Sequence, residues 1–542
     1  MTRREAALSA LLVLVVALAL RAVFAAQIVF PKPEDTAYYV GVARNLAEGR
    51  GLVSDALWSY GTPPLVFPRP AFEVWLPLPS LLAVLPMMVL GTTFAAAQLT
   101  SVLIGAVVPV LAWRLALDVA NERGLSLDRS RWIALGTGLT SAAYLPLVLN
   151  SALPDSTMLF AAIVLGATLL MTRIARTPGA GAVLDPRLIG LGVLLGLGAL
   201  TRNETVWLAL VWAGMAWFAV HGDRALRIRL IGVVAGVAFI VFVPWAVRNL
   251  AEFGSPLPGQ AISNALFVDG HDVFAWNDPP TLERHLALGL GGLVELRLAG
   301  LGHNLVNVLV LLGLPMSIVG LAALPWQVRD RALRPLVVFG LITFLVTSLL
   351  FPAATQWGTF LHAAGPVHVL LVLAAVLGSE AAIDRLGRRL GWTRSVAWVP
   401  ALGATAASLL FTLVLLPSFG EGSRSTAATY EELGRRMAAV GEPLDAASGP
   451  VITNFPIWLA ETYRVPSLAL PNEPPSDVVH LADAFPGTRL LVLIDPENDH
   501  WPNDLAAGTP GAACFHPIDL GRYAGPGTDP LADTTVYEIG CP

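Results

Sequence analysis

Long apolar segments dominate this sequence and restrict it to a membrane fold. A bilayer core of ~30 Å needs about 20 apolar residues per helix, and eleven segments approach that length. Only 13% of the residues are charged, about half the usual fraction in a soluble domain. The sequence therefore predicts an α-helical polytopic membrane protein with about eleven transmembrane helices. The segments lie near residues 6–26, 94–113, 132–149, 157–172, 188–201, 204–220, 230–247, 304–323, 336–351, 366–382 and 396–417.

Basic residues are distributed unevenly between the connecting loops. With the N-terminus inside, the inside segments hold 19 Lys and Arg residues and the outside loops hold 8. The positive-inside rule then places the N-terminus in the cytoplasm and the C-terminal region outside, in a multi-pass protein of the cell membrane. The first segment lacks a clear cleavage site, so we expect it to be retained as a span. Nucleic acid is not an expected partner, because the sequence contains no basic block.

Two long loops and the C-terminal tail fall on the predicted outside. We assign residues 1–417 to a transmembrane domain with large outside loops at 27–93 and 251–303, and residues 418–542 to a small extracytoplasmic α/β domain. Residues 71–90 are apolar but contain three prolines and Glu73, which predicts an interfacial or re-entrant helix. In the tail, Cys514 and Cys541 could form a disulfide or remain two thiols. Long loops are usually functional, so the outside is the expected working face.

An acidic pair follows the first apolar segment directly. Glu34 and Asp35 precede apolar residues at helical spacing that end near Gly49, which predicts a helix along the membrane surface. An Asp at a helix start is commonly a cap. Ionisable groups at the edge of a bilayer are costly and usually functional, which makes a catalytic role the alternative.

Several motifs occur in a consistent order over about residues 1–420. They are Glu-Asp-Thr-Ala-Tyr-Tyr at 34–39, Ala-Arg-Asn-Leu-Ala-Glu-Gly-Arg-Gly-Leu at 43–52, Phe-Pro-Arg-Pro-Ala-Phe at 67–72, Leu-Thr-Arg-Asn-Glu at 200–204, Pro-Trp-Ala-Val-Arg-Asn at 244–249 and Phe-Gly-Ser-Pro-Leu at 253–257. Together they resemble the GT-C superfamily of polytopic membrane glycosyltransferases, which includes protein mannosyltransferases and aminoarabinose transferases. The resemblance implies transfer of a sugar from a polyprenyl-phosphate donor to an extracytoplasmic glycan, lipid or protein.

The resemblance also implies roles for individual residues. Asp35 would be the catalytic base of an inverting transfer, with Glu34 beside it, and Asp155 would be a second acid unless it only caps the fourth span. Basic side chains would hold the donor phosphate, although many arginines at a membrane edge only snorkel. The candidate phosphate ligands are Arg202, Arg69, Arg248 and His362, and the candidate substrate-loop residues are Tyr38, Tyr39, His271 and Asp272.

Three points remain open in the sequence. Glu34, Asp35 and Asp155 could hold a divalent cation, although no dense cluster of metal-ligating residues is visible. A lipid-linked glycan transporter or flippase would share the helix count, but it predicts charges deep in several spans and an internal repeat. A transferase of a whole lipid-linked glycan is a further alternative.

Aromatic residues that could stack on sugar or form an interfacial belt are Trp58, Tyr60, Trp75, Trp276 and Trp357.

Overall fold

The structure is a computed structural model that describes residues 2–176, 185–259, 261–393, 395–495, 501–523 and 525–541. The helices are α1 Arg3–Ala25, α2 Glu34–Ala47, α3 Leu78–Leu90, α4 Phe94–Glu122, α5 Leu127–Ala143, α6 Leu145–Ser151, α7 Ser156–Arg176, α8 Pro186–Ala199, α9 Thr205–Phe218, α10 Arg224–Phe253, α11 Ala261–Asn264, α12 Leu282–Ala287, α13 Gly289–Gly302, α14 Met316–Ala323, α15 Arg334–Leu349, α16 Thr359–Ala363, α17 Gly365–Arg389, α18 Trp398–Ala439, α19 Pro456–Tyr463, α20 Pro475–Ala484 and α21 Trp501–Ala507. The strands are β1 Val53–Ser54, β2 Ala56–Leu57, β3 Arg69–Pro70, β4 Val451–Thr453, β5 Ser467–Ala469, β6 Leu490–Ile494, β7 Phe515–Pro517 and β8 Thr534–Ile539.

Apolar helices form a multi-pass membrane domain. Within the described ranges, 7 helices are long and apolar enough to cross a bilayer, namely α1, α4, α7, α10, α13 with its π-helical continuation to Leu311, α17 and α18. The pair α5 and α6, bent by 54°, could form one more span, and α8, α9, α14 and α15 are shorter apolar helices. Each of the eleven predicted segments therefore contains helix, which confirms the fold class but not eleven full-length spans.

Close packing in the membrane domain depends on small residues. The largest cluster of buried side chains lies between α4, α5, α7 and α17. Where α5 crosses α18, a Cβ at Gly136 would lie 2.8 Å from the Cα of Ala401. Without water to drive burial, helices in a bilayer associate through such close contacts.

The first loop contains the helices α2 and α3. Helix α2 ends just before Gly49, whose φ of +81° suits glycine. Helix α3 has 13 residues and is about 20 Å long, similar to the short apolar helices α8 and α9. It packs against α2 and α4 through Ala83 and Met87, and the non-spanning position of residues 71–90 stays a prediction.

The second loop is shorter than the 251–303 predicted. Helix α10 continues to Phe253 and ends at Gly254, which has a φ of +70°. Helix α13 begins at Gly289 and runs without a break into the π-helical segment His303–Leu311. Residues 289–303 of the predicted loop are therefore part of a candidate span.

The tail is an α/β unit that includes part of the first loop. Its 6-stranded sheet, as described, has the order β2-β5-β4-β6-β8-β7, in which the first four strands are parallel and β8 pairs antiparallel with both β6 and β7. Strand β2 comes from the first loop, and α18 runs from the membrane domain into the tail across residue 417. A disulfide joins Cys514 to Cys541, a pairing that the sequence left open. The α/β character of the tail is confirmed, and the division at 417 stays a prediction.

Candidate functional site

A cavity of about 560 Å³ lies where the membrane helices meet both loops and the tail. Helix α9 contributes Val206 and Trp207 to its wall, and α15 contributes Val346 and Thr347. The tail contributes side chains from α19 and the residue before it, including Trp458. The cavity thus combines an apolar membrane wall with groups from three separate parts of the chain.

Asp35 faces this cavity. It lies in the first turn of α2, whose N-cap residue is Pro33, and no described side chain caps this helix. The Oδ2 atom of Asp35 lies 3.1 Å from Nε2 of His362, and 25% of the Asp35 side chain is exposed. The capping alternative therefore does not describe Asp35, which points towards α16.

His362 lies between Asp35 and Asp155. Its Nδ1 atom is 2.9 Å from Oγ1 of Thr157 and 3.7 Å from Oδ2 of Asp155. Asp155 also caps α7, because its Oδ1 accepts a hydrogen bond of 2.8 Å from the backbone N–H of Thr157. No described group donates a hydrogen bond to Oδ2 of Asp155, which is buried. Asp155 thus caps α7 and also lies beside His362, and its role as a second acid stays a prediction.

The charges of the two acids change the titration of the groups between them. Burial opposes protonation of His362, but the hydrogen bond and charge of Asp35, with the charge of Asp155, raise the pKa of His362 above its ordinary value. Burial disfavours the ionised form of Asp155 and therefore raises its pKa, although the charge of His362 partly offsets this shift.

Arg202 occupies the turn between α8 and α9 and lines the cavity. Its Nε and Nη2 atoms donate to Glu204 at 3.1 and 2.8 Å. Nη1 donates to Oγ of Ser156 at 2.9 Å, and Nη2 also donates to the carbonyl of Thr359 at 3.1 Å. One guanidinium thus holds together the starts of α7, α9 and α16 beside Asp35.

Glu34 is next to Asp35 but turns towards the tail. Its Oε1 accepts backbone N–H groups of Ile457 and Trp458 at 3.0 and 3.4 Å, at the start of α19. The indole Nε1 of Trp458 in turn donates to the carbonyl of Pro31 at 3.0 Å. Burial raises the pKa of Glu34 to about 8. The structure therefore places Glu34 as an anchor between the first loop and the tail.

Two of the proposed phosphate ligands do not line the cavity. Arg69 forms a buried ion pair with Glu73 at 3.0 Å, and each of these side chains is only 1% exposed. Arg248 donates to the carbonyl of Ala71 at 2.8 Å and stacks over the ring of Trp245. Both arginines hold the first loop in place.

The substrate-loop candidates divide in the same way. Tyr39 lines the cavity, whereas the Tyr38 hydroxyl accepts the N–H of Phe72 at 2.7 Å, away from it. Asp272 accepts the N–H of Val268 at 2.7 Å and pairs with Arg284 at 2.8 Å. Nδ1 of His271 lies 2.7 Å from Oδ1 of Asp269. His271 and Asp272 thus shape the second loop, and neither lines the cavity.

Gly270, the residue before His271, is in close contact with Trp357 in the wall of the cavity. A Cβ at Gly270 would lie 1.5 Å from Nε1 of Trp357, so the contact requires glycine. Both residues line the cavity, together with Trp58 and Trp75 among the aromatic side chains proposed to stack on sugar. Tyr60 and Trp276 instead pack against each other, with ring centroids 5.1 Å apart.

Solved structures share this architecture. ArnT from Cupriavidus metallidurans, in a crystal structure bound to undecaprenyl phosphate, is 13% identical with a TM-score of 0.57, and the match covers 97% of each chain. The Archaeoglobus fulgidus oligosaccharyltransferase in complex with Zn and sulfate is 16% identical with a TM-score of 0.55, covering 95% of this chain and 72% of that one. The oligosaccharyltransferase AglB from the same archaeon, with an inhibitory peptide and a dolichol-phosphate, is 13% identical with a TM-score of 0.53, covering 94% and 72%.

The chain has the GT-C fold. No protein-family model and no curated protein matches the sequence. The GT-C resemblance, inferred from short motifs, is therefore confirmed at the level of the fold.

Within this GT-C fold, the acids proposed as cation ligands do not converge. Glu34 binds the start of α19, and His362 lies between Asp35 and Asp155. The described residues contain no group of three or more His, Cys, Asp or Glu side chains arranged to hold a metal ion. The predicted set of Glu34, Asp35 and Asp155 thus does not fit a divalent cation.

Sequence reasoning missed several residues that line the cavity or contact its lining side chains. Glu204 lies two residues after Arg202, a spacing that is compatible with their ion pair. Lys32, the only lysine of the chain, lines the cavity with its ammonium 5.7 Å above the ring of Trp458. Thr157 and Trp458 gave no local signal, because their roles depend on contacts with distant segments.

Proposed function

We propose that this chain is a membrane glycosyltransferase that transfers a sugar from a polyprenyl-phosphate donor to an acceptor on the extracytoplasmic face. The supporting observation is one cavity that joins the apolar wall of α9 and α15 to Asp35, His362 and Arg202. The apolar wall suits a polyprenyl chain, and the cationic end suits a phosphate. The ArnT structure with undecaprenyl phosphate and the AglB structure with a dolichol-phosphate support this class of donor.

Transfer requires one bond to form and one to break. The acceptor hydroxyl oxygen attacks the anomeric carbon while the bond from that carbon to the phosphate oxygen breaks. Asp35 accepts the hydroxyl proton through Oδ1, since Oδ2 faces His362. The attack opposite the leaving group inverts the anomeric centre. Arg202 supplies positive charge beside the departing polyprenyl phosphate.

The size of the cavity favours a single sugar over a whole lipid-linked glycan. Pockets of ~300–1,000 Å³ hold drug-sized ligands, and this one measures about 560 Å³. That volume suits a sugar phosphate with part of its lipid. The acceptor, whether glycan, lipid or protein, stays open.

The transporter alternative gains no support from the one arginine inside the first span. Arg21 is buried, and its Nε donates to Oγ of Ser151 at 2.9 Å. Nη1 donates to the carbonyl of Ala142 at 3.1 Å. Arg21 therefore connects α1 to α5 and α6.

Replacing Asp35 with Asn tests the proposed base. Purified protein is supplied with labelled polyprenyl phosphosugars of several types and with candidate acceptors, and transfer is measured. Loss of a general base lowers transfer by about 10²- to 10⁴-fold in Asp35→Asn. The matched control is Asp483→Asn, an exposed carboxylate of α20, which should transfer at the wild-type rate.

Three results would change this account. Undiminished transfer by Asp35→Asn would refute the role of Asp35. Movement of the labelled lipid across vesicles without any transfer would favour a flippase. Delivery of an intact glycan to the acceptor would favour transfer of a whole lipid-linked glycan.

A further inference from the structure

The space between the two acids is filled by an imidazole. His362 presents Nε2 to Asp35 at 3.1 Å and Nδ1 towards Asp155 at 3.7 Å. Its side chain is only 7% exposed. Two carboxylates near one another repel unless a positive charge separates them. Here the group at the position of that charge is His362.

The His362 ring lies between Gly358 and the side chain of Thr157. Gly358 has a φ of +107°, and a Cβ there would lie 3.3 Å from Nε2 of His362. On the other side, Oγ1 of Thr157 lies 2.9 Å from Nδ1. The ring is therefore held in a narrow slot with both nitrogens directed at polar atoms.

The other cations that line the cavity are occupied elsewhere. The hydrogen bonds of Arg202 go to Glu204, Ser156 and Thr359 and not to Asp35 or Asp155. Lys32 lies over the ring of Trp458.

We propose that His362 is a positioning residue whose imidazole ring occupies the place between Asp35 and Asp155 that a divalent cation would need, so that the site works without such a cation. This inference rests on the proposed role of Asp35 as the base. Nε2–H holds Oδ2 of Asp35 and leaves Oδ1 to accept the acceptor proton, which then leaves Asp35 for water. His362 keeps its own proton throughout.

The inference is tested with chelator, with His362 variants and with Mn²⁺ binding. Wild-type transfer should be unchanged by EDTA, and the protein should bind no Mn²⁺ in electron paramagnetic resonance. His362→Gln removes the imidazole ring but keeps hydrogen-bonding atoms. Because Asp35 is then no longer held in position, transfer should fall by about 100-fold, and Mn²⁺ should not restore it. His362→Glu places a third carboxylate between the two acids, and this variant should bind one Mn²⁺ and recover transfer when Mn²⁺ is added.

The control is His480→Gln, an exposed histidine of α20. It should match the wild type in transfer and in Mn²⁺ binding. Thermal unfolding of each variant shows whether it is folded.

The outcomes separate this inference from the proposed function. Stoichiometric Mn²⁺ binding by the wild type, or loss of transfer in EDTA with recovery in Mn²⁺, would overturn the inference while supporting the transferase. A folded His362→Glu that binds no Mn²⁺ would also overturn it. If the wild type transfers nothing, the proposed function fails, and the Mn²⁺ comparison still decides whether His362 takes the place of a cation.

Discussion

At the scale of single residues, the guanidinium of Arg202 both connects helix ends and faces the cavity. It bonds to Glu204, Ser156 and Thr359, and its remaining surface lines the cavity beside Asp35. A lysine carries the same charge but lacks the planar fork that these partners need. The site therefore depends on the shape of the Arg202 side chain as well as on its charge.

Arg202→Lys should lower kcat for sugar transfer. Loss of charge-assisted hydrogen bonds worth about 1.5–3 kcal/mol corresponds to a decrease of about 10- to 100-fold. Steady-state kinetics against donor concentration measure it, with Arg435→Lys, an exposed arginine of α18, as the matched control. Wild-type kcat and KM in Arg202→Lys would show that Arg202 does not act on the donor.

Arg69 should behave differently, because both it and Glu73 are buried. Arg69→Met leaves an unpaired carboxylate and should reduce the free energy of unfolding by about 3–5 kcal/mol. The double variant Arg69→Met with Glu73→Leu should recover part of this loss. Chemical denaturation measures both. A raised KM for the donor with undiminished stability would instead support the phosphate-binding role that the sequence suggested.

At the scale of elements, α2 and α19 form a clasp between the first loop and the tail. Glu34 caps the start of α19, and Arg44 of α2 pairs with Glu461 near its end. Nη1 of Arg44 also donates to the carbonyl of Glu461 at 2.9 Å. Burial raises the pKa of Glu34 to about 8 and that of Glu461 to about 7. Since α2 carries Asp35, this clasp sets the position of the proposed base.

The clasp should weaken as pH rises. A buried acid with a raised pKa stabilises the folded state fully below its unfolded pKa, and this contribution is lost as pH rises through the folded value, here about 7 to 8. Hydrogen exchange of the α19 amides, corrected for intrinsic rates, should show less protection at about pH 9 than at about pH 6. Glu34→Gln should reduce this difference. Equal protection at both values would contradict the account.

The elements show what the sequence could predict. Helix α2 and the stop at Gly49 follow from local periodicity, and a helix within residues 71–90 follows from their apolar side chains. Strand β2 has only two residues, and its pairing with β5 of the tail has no local signature. The sequence-based loop at 251–303 was too long because apolar residues near 290 continue a helix.

At the scale of the whole molecule, the cavity belongs to no single segment. The acid Asp35 was predicted from its position after the first span, but its partner His362 lies far along the chain and was predicted only as a phosphate ligand. The tail had no recognisable motif, yet Phe455, Ile457 and Trp458 form part of the wall. Contacts between distant segments decide these roles, and periodicity or spacing does not report them.

Trp458→Ala should therefore lower transfer although Trp458 belongs to the tail. The variant loses the hydrogen bond to the carbonyl of Pro31 and the ring that lines the cavity. We expect a decrease of about 100-fold if Asp35 is misplaced by about 1 Å. Trp458→Phe keeps an aromatic ring and should retain more activity. Wild-type transfer by Trp458→Ala would show that the tail wall does not matter for the reaction.

The central claim is that this cavity holds a lipid phosphate beside Asp35. A cryo-electron microscopy structure with a polyprenyl phosphate tests it most directly. We expect that structure to show the phosphate next to Arg202 and His362, with the lipid chain along α9 and α15. A phosphate bound elsewhere while the cavity stays free of lipid would contradict the account.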